Sequence, residues 1–301
     1  MYQIKILSSS EIDIFKWDNC VQENSNGLIY AYSFYLNTMA ENWHGLIIND
    51  YEAIFPIPVK NKLGIQYAYM PAFTQQLGLI GNVKINNTKL INAIHSFLKY
   101  GSINLNFSNK NFTEKIVEKN NFIIDLKNNY SVIQEKYKKT IAYSLSKAAK
   151  HHFIYTKDDD IKKAVALYKL YNQNNMPHVI DIDYTNLKKL LLQLQKNNNV
   201  LVRKVENEKQ ELMSIALLMK DIKRYYNILN TTTEAGRKTE ANYFLYNNIL
   251  QELCNQNMLF DFEGSDLPGV KKFYEKFGAI NQPYFNWHFN NLPIPFKWLK
   301  K

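Results

Sequence analysis

One stretch near the end of the chain decides the fold: Met258-Leu-Phe-Asp-Phe-Glu-Gly-Ser-Asp-Leu-Pro-Gly-Val-Lys-Lys-Phe-Tyr-Glu-Lys-Phe-Gly-Ala279. Its first part alternates, with Phe260 and Phe262 on one face and acidic residues on the other, which predicts a strand. Pro268 suits the first turn of a helix, where its missing N–H costs nothing. Apolar residues then recur at helical spacing, and Gly278 follows them as a C-terminal cap. The stretch therefore predicts a strand, a tight turn and a helix.

The composition indicates a globular protein with an anionic partner. The chain has 301 residues, enough for one large domain or two ordinary ones, and 46% of them are hydrophobic. Its net charge of +10 suggests a phosphate-bearing ligand, a nucleic acid or an anionic surface. However, only Arg203, Arg224 and Arg237 are arginines. A skew toward lysine and asparagine can also come from an A+T-rich genome.

Cysteine usage and hydropathy favour a cytoplasmic protein. Cys20 and Cys254 are the only cysteines, too few for a structural metal site or a disulfide framework. Neither a secretory signal nor an apolar run of membrane-spanning length is visible in the sequence. We therefore expect free thiols, no metal and no membrane span.

The order of predicted elements divides the chain into two halves, 1–128 and 129–301, at Asn128-Asn129. The first half reads as two helices, an antiparallel meander, a helix and two strands. The second half reads as helices, three strands, a helix, the 259–263 strand, its helix and a last strand. This order predicts an α/β fold with mixed sheets.

The end of the opening stretch, Phe273-Tyr-Glu-Lys-Phe-Gly-Ala279, resembles a motif of the GNAT superfamily of acyl-CoA N-acyltransferases. With the acidic-Gly-Ser and Pro-Gly-Val runs before it, the stretch is more similar to the Fem-type branch, whose members pair two GNAT-like halves and ligate amino acids to cell-wall peptides. The resemblance implies two halves here, each a mostly antiparallel sheet flanked by helices. A strand, turn and helix of another α/β fold is the alternative.

The resemblance also implies a donor site in the second half. Strands 212–219 and 259–263 would splay apart to admit a pantetheine arm. Loop 231–240 would hold the pyrophosphate through Gly236, Arg237 and Lys238, ahead of a helix that carries Asn242. The loop departs from the family pattern Arg/Gln-x-x-Gly-x-Gly/Ala because it has one glycine. A solvated turn with two surface cations is the alternative.

The resemblance places the acid that protonates the leaving group at Tyr274. The fourth-strand glutamate of many GNAT enzymes has no counterpart in 212–219. Glu263, at the end of its strand, is the preferred general base, and Asp261 on the same face is the second candidate. Alternatively, Tyr274 packs against the sheet, and the carboxylates cap the next helix through the backbone at 264–265.

Two further segments are candidates for substrate contacts. Gln75 and Gln76 follow an aromatic strand and a turn, and could hold a small-molecule or peptide amine acceptor; an edge turn without a role is the alternative. The predicted helix 130–150 carries a lysine stripe that would face tRNA or CoA phosphates, or simply solvent. His151 and His152 lack partners at metal-ligand spacing.

The sequence thus predicts an N-acyltransferase that forms an amide on an amine acceptor, with no permanently bound cofactor. Acyl-CoA is the favoured donor because the long helical arm of many Fem-type enzymes is not seen, and aminoacyl-tRNA is the alternative donor. A non-catalytic GNAT-fold binding module with a degraded phosphate loop is the competing function. A basic RNA-binding protein is a third reading, without a recognition motif to support it.

Overall fold

A computed structural model describes residues 2–83, 85–264, 266–294 and 296–299. The chain forms two compact units: Met1–Lys119 together with Pro283–Lys301, and Asn120–Gln282. Each unit is built on its own mixed sheet with helices against it, which confirms the predicted α/β class.

The strands are β1 Ile4–Ser8, β2 Asn42–Ile48, β3 Ala53–Lys62, β4 Ile65–Ala68, β5 Ile80–Gly81, β6 Tyr100–Leu105, β7 Ile116–Lys119, β8 Phe122–Asp125, β9 Ile154–Asp158, β10 Val200–Glu206, β11 Leu212–Lys220, β12 Arg224–Thr232, β13 Leu259–Asp261, β14 Ile280–Asn281 and β15 Tyr284–Asn290. The α-helices are α1 Ile14–Glu23, α2 Ser33–Met39, α3 Asn87–Phe97, α4 Tyr130–Glu135, α5 Lys139–Ala149, α6 Ile161–Asn172, α7 Asp181–Gln195, α8 Glu234–Lys238, α9 Ala241–Leu253, α10 Pro268–Lys276 and α11 Phe296–Leu299. None of the helices described here has the length and apolar character needed to cross a membrane.

The sheet of the first unit has the order β1-β2-β3-β4-β6-β15-β7, and β5 also pairs with β3. Most neighbours are antiparallel, while β4 and β6 run parallel and pair at the single position Ala68↔Gly101. Because β4 and β6 pair only there, the residues that precede this point on each strand are free to diverge.

The sheet of the second unit has the order β14-β8-β13-β12-β11-β10-β9. Its neighbours are antiparallel except for β12 and β13. Phe260 and Phe262 lie in one hydrophobic core with side chains from α9 and α10. Asp261, between them in sequence, instead pairs with Arg224. The alternation predicted for this strand is therefore confirmed.

The helix that follows β13 also matches its sequence signals. It begins at Pro268, and Gly278 just beyond its end has a φ of +71°. A Cβ at 278 would lie 2.5 Å from the carbonyl oxygen of Lys136. The glycine is thus required both by its left-handed conformation and by the chain packed against it.

Two strands lie elsewhere than the element order suggested. We expected 122–126 to close the first half, but β8 pairs with β13 and β14 in the second sheet. We expected the last strand in the second half, but β15 lies between β6 and β7 in the first sheet. The units of the structure therefore differ from the division at Asn128, because these two strands take partners far away in sequence.

The long basic helix predicted for 130–150 is wrong, since two short helices, α4 and α5, occupy that range. Lys138 has extended backbone at the start of α5, and its N–H donates to the carbonyl of Lys276 at the end of α10. This tertiary hydrogen bond fixes the break, which helical periodicity alone cannot reveal. Because the helix is interrupted, the lysines do not form one continuous stripe.

Candidate functional site

The site begins where two parallel strands of the second unit part. β12 pairs with β13 only from Arg224 to Tyr226. Beyond Tyr226, no strand in the described part of the chain pairs with β12 on that side. The splayed pair is thus β12 and β13, and not 212–219 with 259–263 as the sequence suggested, because β11 pairs with β12 along its length and does not touch β13.

A β-bulge lies at the point where the strands separate. Leu217 pairs with Leu229 and Met219 pairs with Tyr226, so two residues of β12 stand opposite Leu218. A bulge strengthens the local twist and redirects the side chains that follow it. It is therefore one physical reason why β12 leaves β13 after three residues of pairing.

A cavity of about 170 Å³ lies between the separated part of β12 and the helices α9 and α10. It is lined by Asn230 of β12, Asn242 of α9, and Gly269, Val270, Phe273 and Tyr274 of α10. The structure thus brings together Tyr274 and Asn242, which the sequence assigned to catalysis and to the donor site.

Asn242 is fixed from the sheet side. Its Oδ1 accepts hydrogen bonds from Ser214 Oγ at 3.0 Å and from Asn230 Nδ2 at 3.1 Å. Asn230 Nδ2 also donates to the carbonyl of Ile215 at 3.2 Å. Among the described residues Asn242 Nδ2 has no acceptor, so this amide is an oriented donor for a ligand in the cavity.

Tyr274 is positioned by ring contacts. Its ring stacks on Phe262 at a centroid distance of 4.5 Å and tilts against Phe122 at 6.0 Å. Burial, together with the nearby negative charge of Glu263, raises the pKa of the Tyr274 hydroxyl above its ordinary value. The hydroxyl makes no hydrogen bond to any described residue. At neutral pH Tyr274 is therefore a protonated phenol whose donor is available to a ligand.

The two predicted carboxylates have different surroundings. Asp261 is 1% exposed, and its Oδ2 accepts from Arg224 Nη1 at 2.9 Å and from Asn121 Nδ2 at 3.2 Å. Burial raises the pKa of Asp261, and Arg224 opposes that rise. Since Asp261 does not line the cavity and is held by these partners, it is the counter-ion of Arg224 rather than a group within reach of substrate.

Glu263 lies just past β13 and is only partly buried. Its φ is +64°, a left-handed conformation that is uncommon for glutamate and is characteristic of constrained functional positions. Its N–H donates to Asp261 Oδ1 at 3.0 Å, so the carboxylate of Asp261 supports this turn. Ser265, two positions further on, lies outside the described residues. The charges of both acids act on Tyr274, Glu263 more strongly, and Glu263 is the one that is open to solvent.

The predicted phosphate loop is largely a short helix, α8, packed on β11. Gly236 is buried, and its N–H donates to Thr233 Oγ1 at 3.0 Å. A Cβ at 236 would lie 2.0 Å from the carbonyl oxygen of Met213. The backbone at Gly236 is therefore covered by β11, and the glycine is accounted for by contact of helix and strand.

Neither cation of that loop lines the cavity. Arg237 Nη1 donates to the carbonyl of Thr232 at 2.7 Å, which ties the helix to the end of β12. Lys238 pairs with Glu234 at 2.7 Å on the exposed side of α8. At the start of α9, Glu240 carries a negative charge that is paired with Lys147 at 3.6 Å. A carboxylate at that helix terminus competes with a pyrophosphate for the same position.

Gln75 and Gln76 belong to the first unit, where they bond to each other. Gln76 Nε2 donates to Gln75 Oε1 at 2.5 Å, and the backbone carbonyl of Gln75 accepts from Asn104 Nδ2 at 2.9 Å. Gln76 is 1% exposed. These contacts hold Gln76 inside the unit, where it is not accessible to an acceptor in solution.

Sequence reasoning missed several polar residues beside the cavity. Asn230 lines it. Asn227 on β12 and Tyr246 on α9 are buried close to each other in the same unit without lining the cavity. The available signal was the presence of two asparagines in the otherwise apolar and aromatic run 225–230.

Comparisons with known proteins show the fold. No family model and no curated protein matches the chain. Among solved structures, FemX superposes with a TM-score of 0.67 at 11% identity, over 96% of this chain and 98% of that chain. A conserved protein of unknown function from Bacteroides thetaiotaomicron gives 0.60 at 11% identity, over 96% and 100%.

L-PGS from Bacillus licheniformis gives a TM-score of 0.55 at 9% identity, over 95% of each chain. Identities this low establish the arrangement of the chain and not its chemistry. The chain therefore shares the fold of FemX, with two mixed sheets flanked by helices that match two GNAT-like halves.

Proposed function

We propose that the protein is an N-acyltransferase that forms an amide between an activated acyl or aminoacyl group and an amine acceptor. The observation that carries this proposal is the protonated hydroxyl of Tyr274 in the cavity lined by α9, α10 and the part of β12 that has separated from β13. The FemX-like fold adds support, because Fem-type proteins, which the motif at 273–279 resembles, make such bonds.

Amide formation requires a base, a hydrogen-bond donor for the carbonyl oxygen and an acid, and the site has one candidate for each role. The acceptor amine must lose a proton as its nitrogen attacks the acyl carbonyl, and Glu263 is the nearby carboxylate that can take it. The carbonyl oxygen becomes negative, and Asn242 Nδ2 is an oriented donor in the same cavity. When the bond to the leaving group breaks, Tyr274 gives its proton to the departing atom. The products are an amide and a neutral leaving group.

The surroundings favour an oxygen ester, such as aminoacyl-tRNA, over the acyl-CoA thioester that the sequence favoured. A thiol has an ordinary pKa of about 8.5, so a thiolate departs without help. An alkoxide is far more basic and must be protonated as it leaves, and Tyr274, whose raised pKa keeps its hydroxyl protonated, can supply that proton. In addition, Gly236 is covered by Met213, and Glu240 occupies the helix terminus where a CoA pyrophosphate would lie.

The competing function is a binding module that has kept the fold without catalysis. It is favoured by one observation: none of the six residues that line the cavity is acidic or basic. This function requires that Glu263 take no part. The two functions therefore differ in what the Tyr274 hydroxyl does after a ligand has bound.

The test compares wild type with Tyr274→Phe, using Tyr143→Phe as a control because Tyr143 is 74% exposed on α5. Acetyl-CoA and aminoacyl-tRNA are offered with a panel of amines, and amide product is measured by mass spectrometry. We expect Tyr274→Phe to lower kcat about 10²–10⁴-fold with donor affinity almost unchanged. Donor binding without product in the wild type supports the binding module, and equal kcat in all three proteins removes Tyr274 from the mechanism.

A further inference from the structure

A second and larger cavity lies within the first unit, separate from the site described above. Its volume is about 790 Å³, within the roughly 300–1,000 Å³ range of ligand pockets. It lies between the β3–β4 hairpin and the turn from α3 to β6. β4 and β6 pair only at Ala68↔Gly101, so the residues before that pair diverge and leave this space.

The lining combines apolar walls with positive charge. Its residues are Lys62, Leu63, Gly64, Ile65, Gln66, Tyr67, Phe97, Lys99, Tyr100, Leu292 and Pro293. Two of them are lysines and none is acidic. Lys99 Nζ donates to the carbonyl of His95 at 2.8 Å, and Lys62 has no ion-pair partner among the described residues. The cavity therefore complements a ligand with a long apolar part and a negative end.

The hairpin tip gives an independent indication. Lys62 pairs with Ile65, so Leu63 and Gly64 form a two-residue loop. Their φ values are +54° and +78°, a conformation that favours Asn-Gly and is strained for leucine. Leu63 is also 94% exposed. The chain thus keeps an exposed leucine in an unfavourable conformation at the mouth of an apolar cavity.

We propose that this cavity binds the acyl chain of a single-chain anionic amphiphile, with Leu63 closing over the chain and Lys62 and Lys99 facing its charged end. A fatty acid in solution and an anionic lipid in a bilayer share this chemistry. The bound chain would cover Leu63 and so offset the strain of the hairpin tip. This inference does not depend on the proposed transferase activity.

The experiment measures binding of decanoate, laurate and myristate below their micellar concentrations by isothermal titration calorimetry. We expect affinity to rise roughly fourfold for each added methylene, until the chain fills the cavity. Dodecanol, which has the same chain without the charge, should bind less tightly than laurate. Equal or undetectable binding of all three acids overturns the proposal.

Leu63→Asn is the decisive variant because it should weaken binding without lowering the stability of the protein. Asparagine tolerates the left-handed conformation, so the variant should unfold at the same or a higher temperature than wild type. It should bind laurate about tenfold more weakly, since a leucine contact is lost. Unchanged affinity contradicts the role of Leu63.

Two further variants and a vesicle assay complete the test. Lys62→Gln should weaken binding of laurate but not of dodecanol, and Ile222→Asn, at an exposed turn of the second unit, should change neither. Co-sedimentation with phosphatidylglycerol and phosphatidylcholine vesicles distinguishes the source of the chain. Binding to monomeric laurate supports the pocket with or without vesicle binding. Binding to vesicles alone, with no monomer bound, identifies a membrane-docking surface and overturns the pocket.

Discussion

Replacing Gly236 by alanine tests whether this glycine serves packing or a phosphate. The new Cβ would lie 2.0 Å from the Met213 carbonyl oxygen and 3.1 Å from Thr232 Cγ2. The same carbonyl accepts from Thr233 N at 3.0 Å and from Thr233 Oγ1 at 3.2 Å. Helix α8 must therefore move away and weaken these bonds. Overpacking costs about 1–3 kcal/mol and a weakened hydrogen bond about 1 kcal/mol, so we expect a loss of about 2–4 kcal/mol.

The matched control is Gly269→Ala on α10. No described atom lies within 4 Å of a Cβ at 269, so this change should be neutral or stabilise by up to about 1 kcal/mol. For a unit the size of Asn120–Gln282, the loss at 236 corresponds to a fall in Tm of roughly 4–16 °C. Differential scanning calorimetry measures both variants.

Equal Tm values for wild type and Gly236→Ala refute the packing argument. The phosphate-loop hypothesis makes the reverse prediction: an unchanged Tm together with selective loss of CoA binding. Calorimetric titration of wild type and Gly236→Ala with acetyl-CoA at 15 °C, where both proteins are folded, separates the two explanations.

The remaining predictions concern charge and pH. Since the pKa of Tyr274 is raised, kcat should not fall between pH 8 and 10 through loss of the acid; a fall that Tyr274→Phe abolishes would contradict this. Asp261→Asn removes the carboxylate that pairs with the buried Arg224, and urea denaturation should show a loss of about 3–5 kcal/mol. The loss should be largely recovered when Arg224→Met is combined with Asp261→Leu. Burial lowers the pKa values of His44 and His95 in the folded protein. As the pH falls below about 6.5, these two histidines are therefore protonated in the unfolded chain before they are protonated in the folded one. Stability should therefore decline below that pH, and a profile unchanged by His44→Gln with His95→Gln would contradict this assignment.

Local signals predicted the second unit well. Pro268 begins its helix, Gly278 ends it in a left-handed conformation, and Phe260 and Phe262 share one core, because each of these features depends on neighbours in sequence. The strand β1 at the start of the chain was missed, since Ile4–Ser8 shows no alternation of buried and exposed residues.

The candidate site was only partly predictable. The motif placed Tyr274, but a glycine in a sequence does not reveal what approaches it, and Gly236 proved to meet a strand. Asn230 became a site residue only through the bulge that redirects β12. Partner choice between strands is also non-local, which is why β8 and β15 were assigned to the wrong sheets.

The return of the chain to its first sheet has a consequence for synthesis on the ribosome. All strands of the second unit lie between 122 and 281, so that unit can complete its sheet while the last segment is still being made. The first unit cannot, because β15 is the strand that joins β6 to β7. Without β15, β6 pairs only at Ala68↔Gly101 with β4 and at an isolated bridge between Leu77 and Leu105, among the described residues. The first unit, which begins to emerge first, thus completes its sheet last. Until Tyr284–Asn290 has been synthesised, β6 and β7 each expose an unpaired edge, which chaperones can bind and which can aggregate.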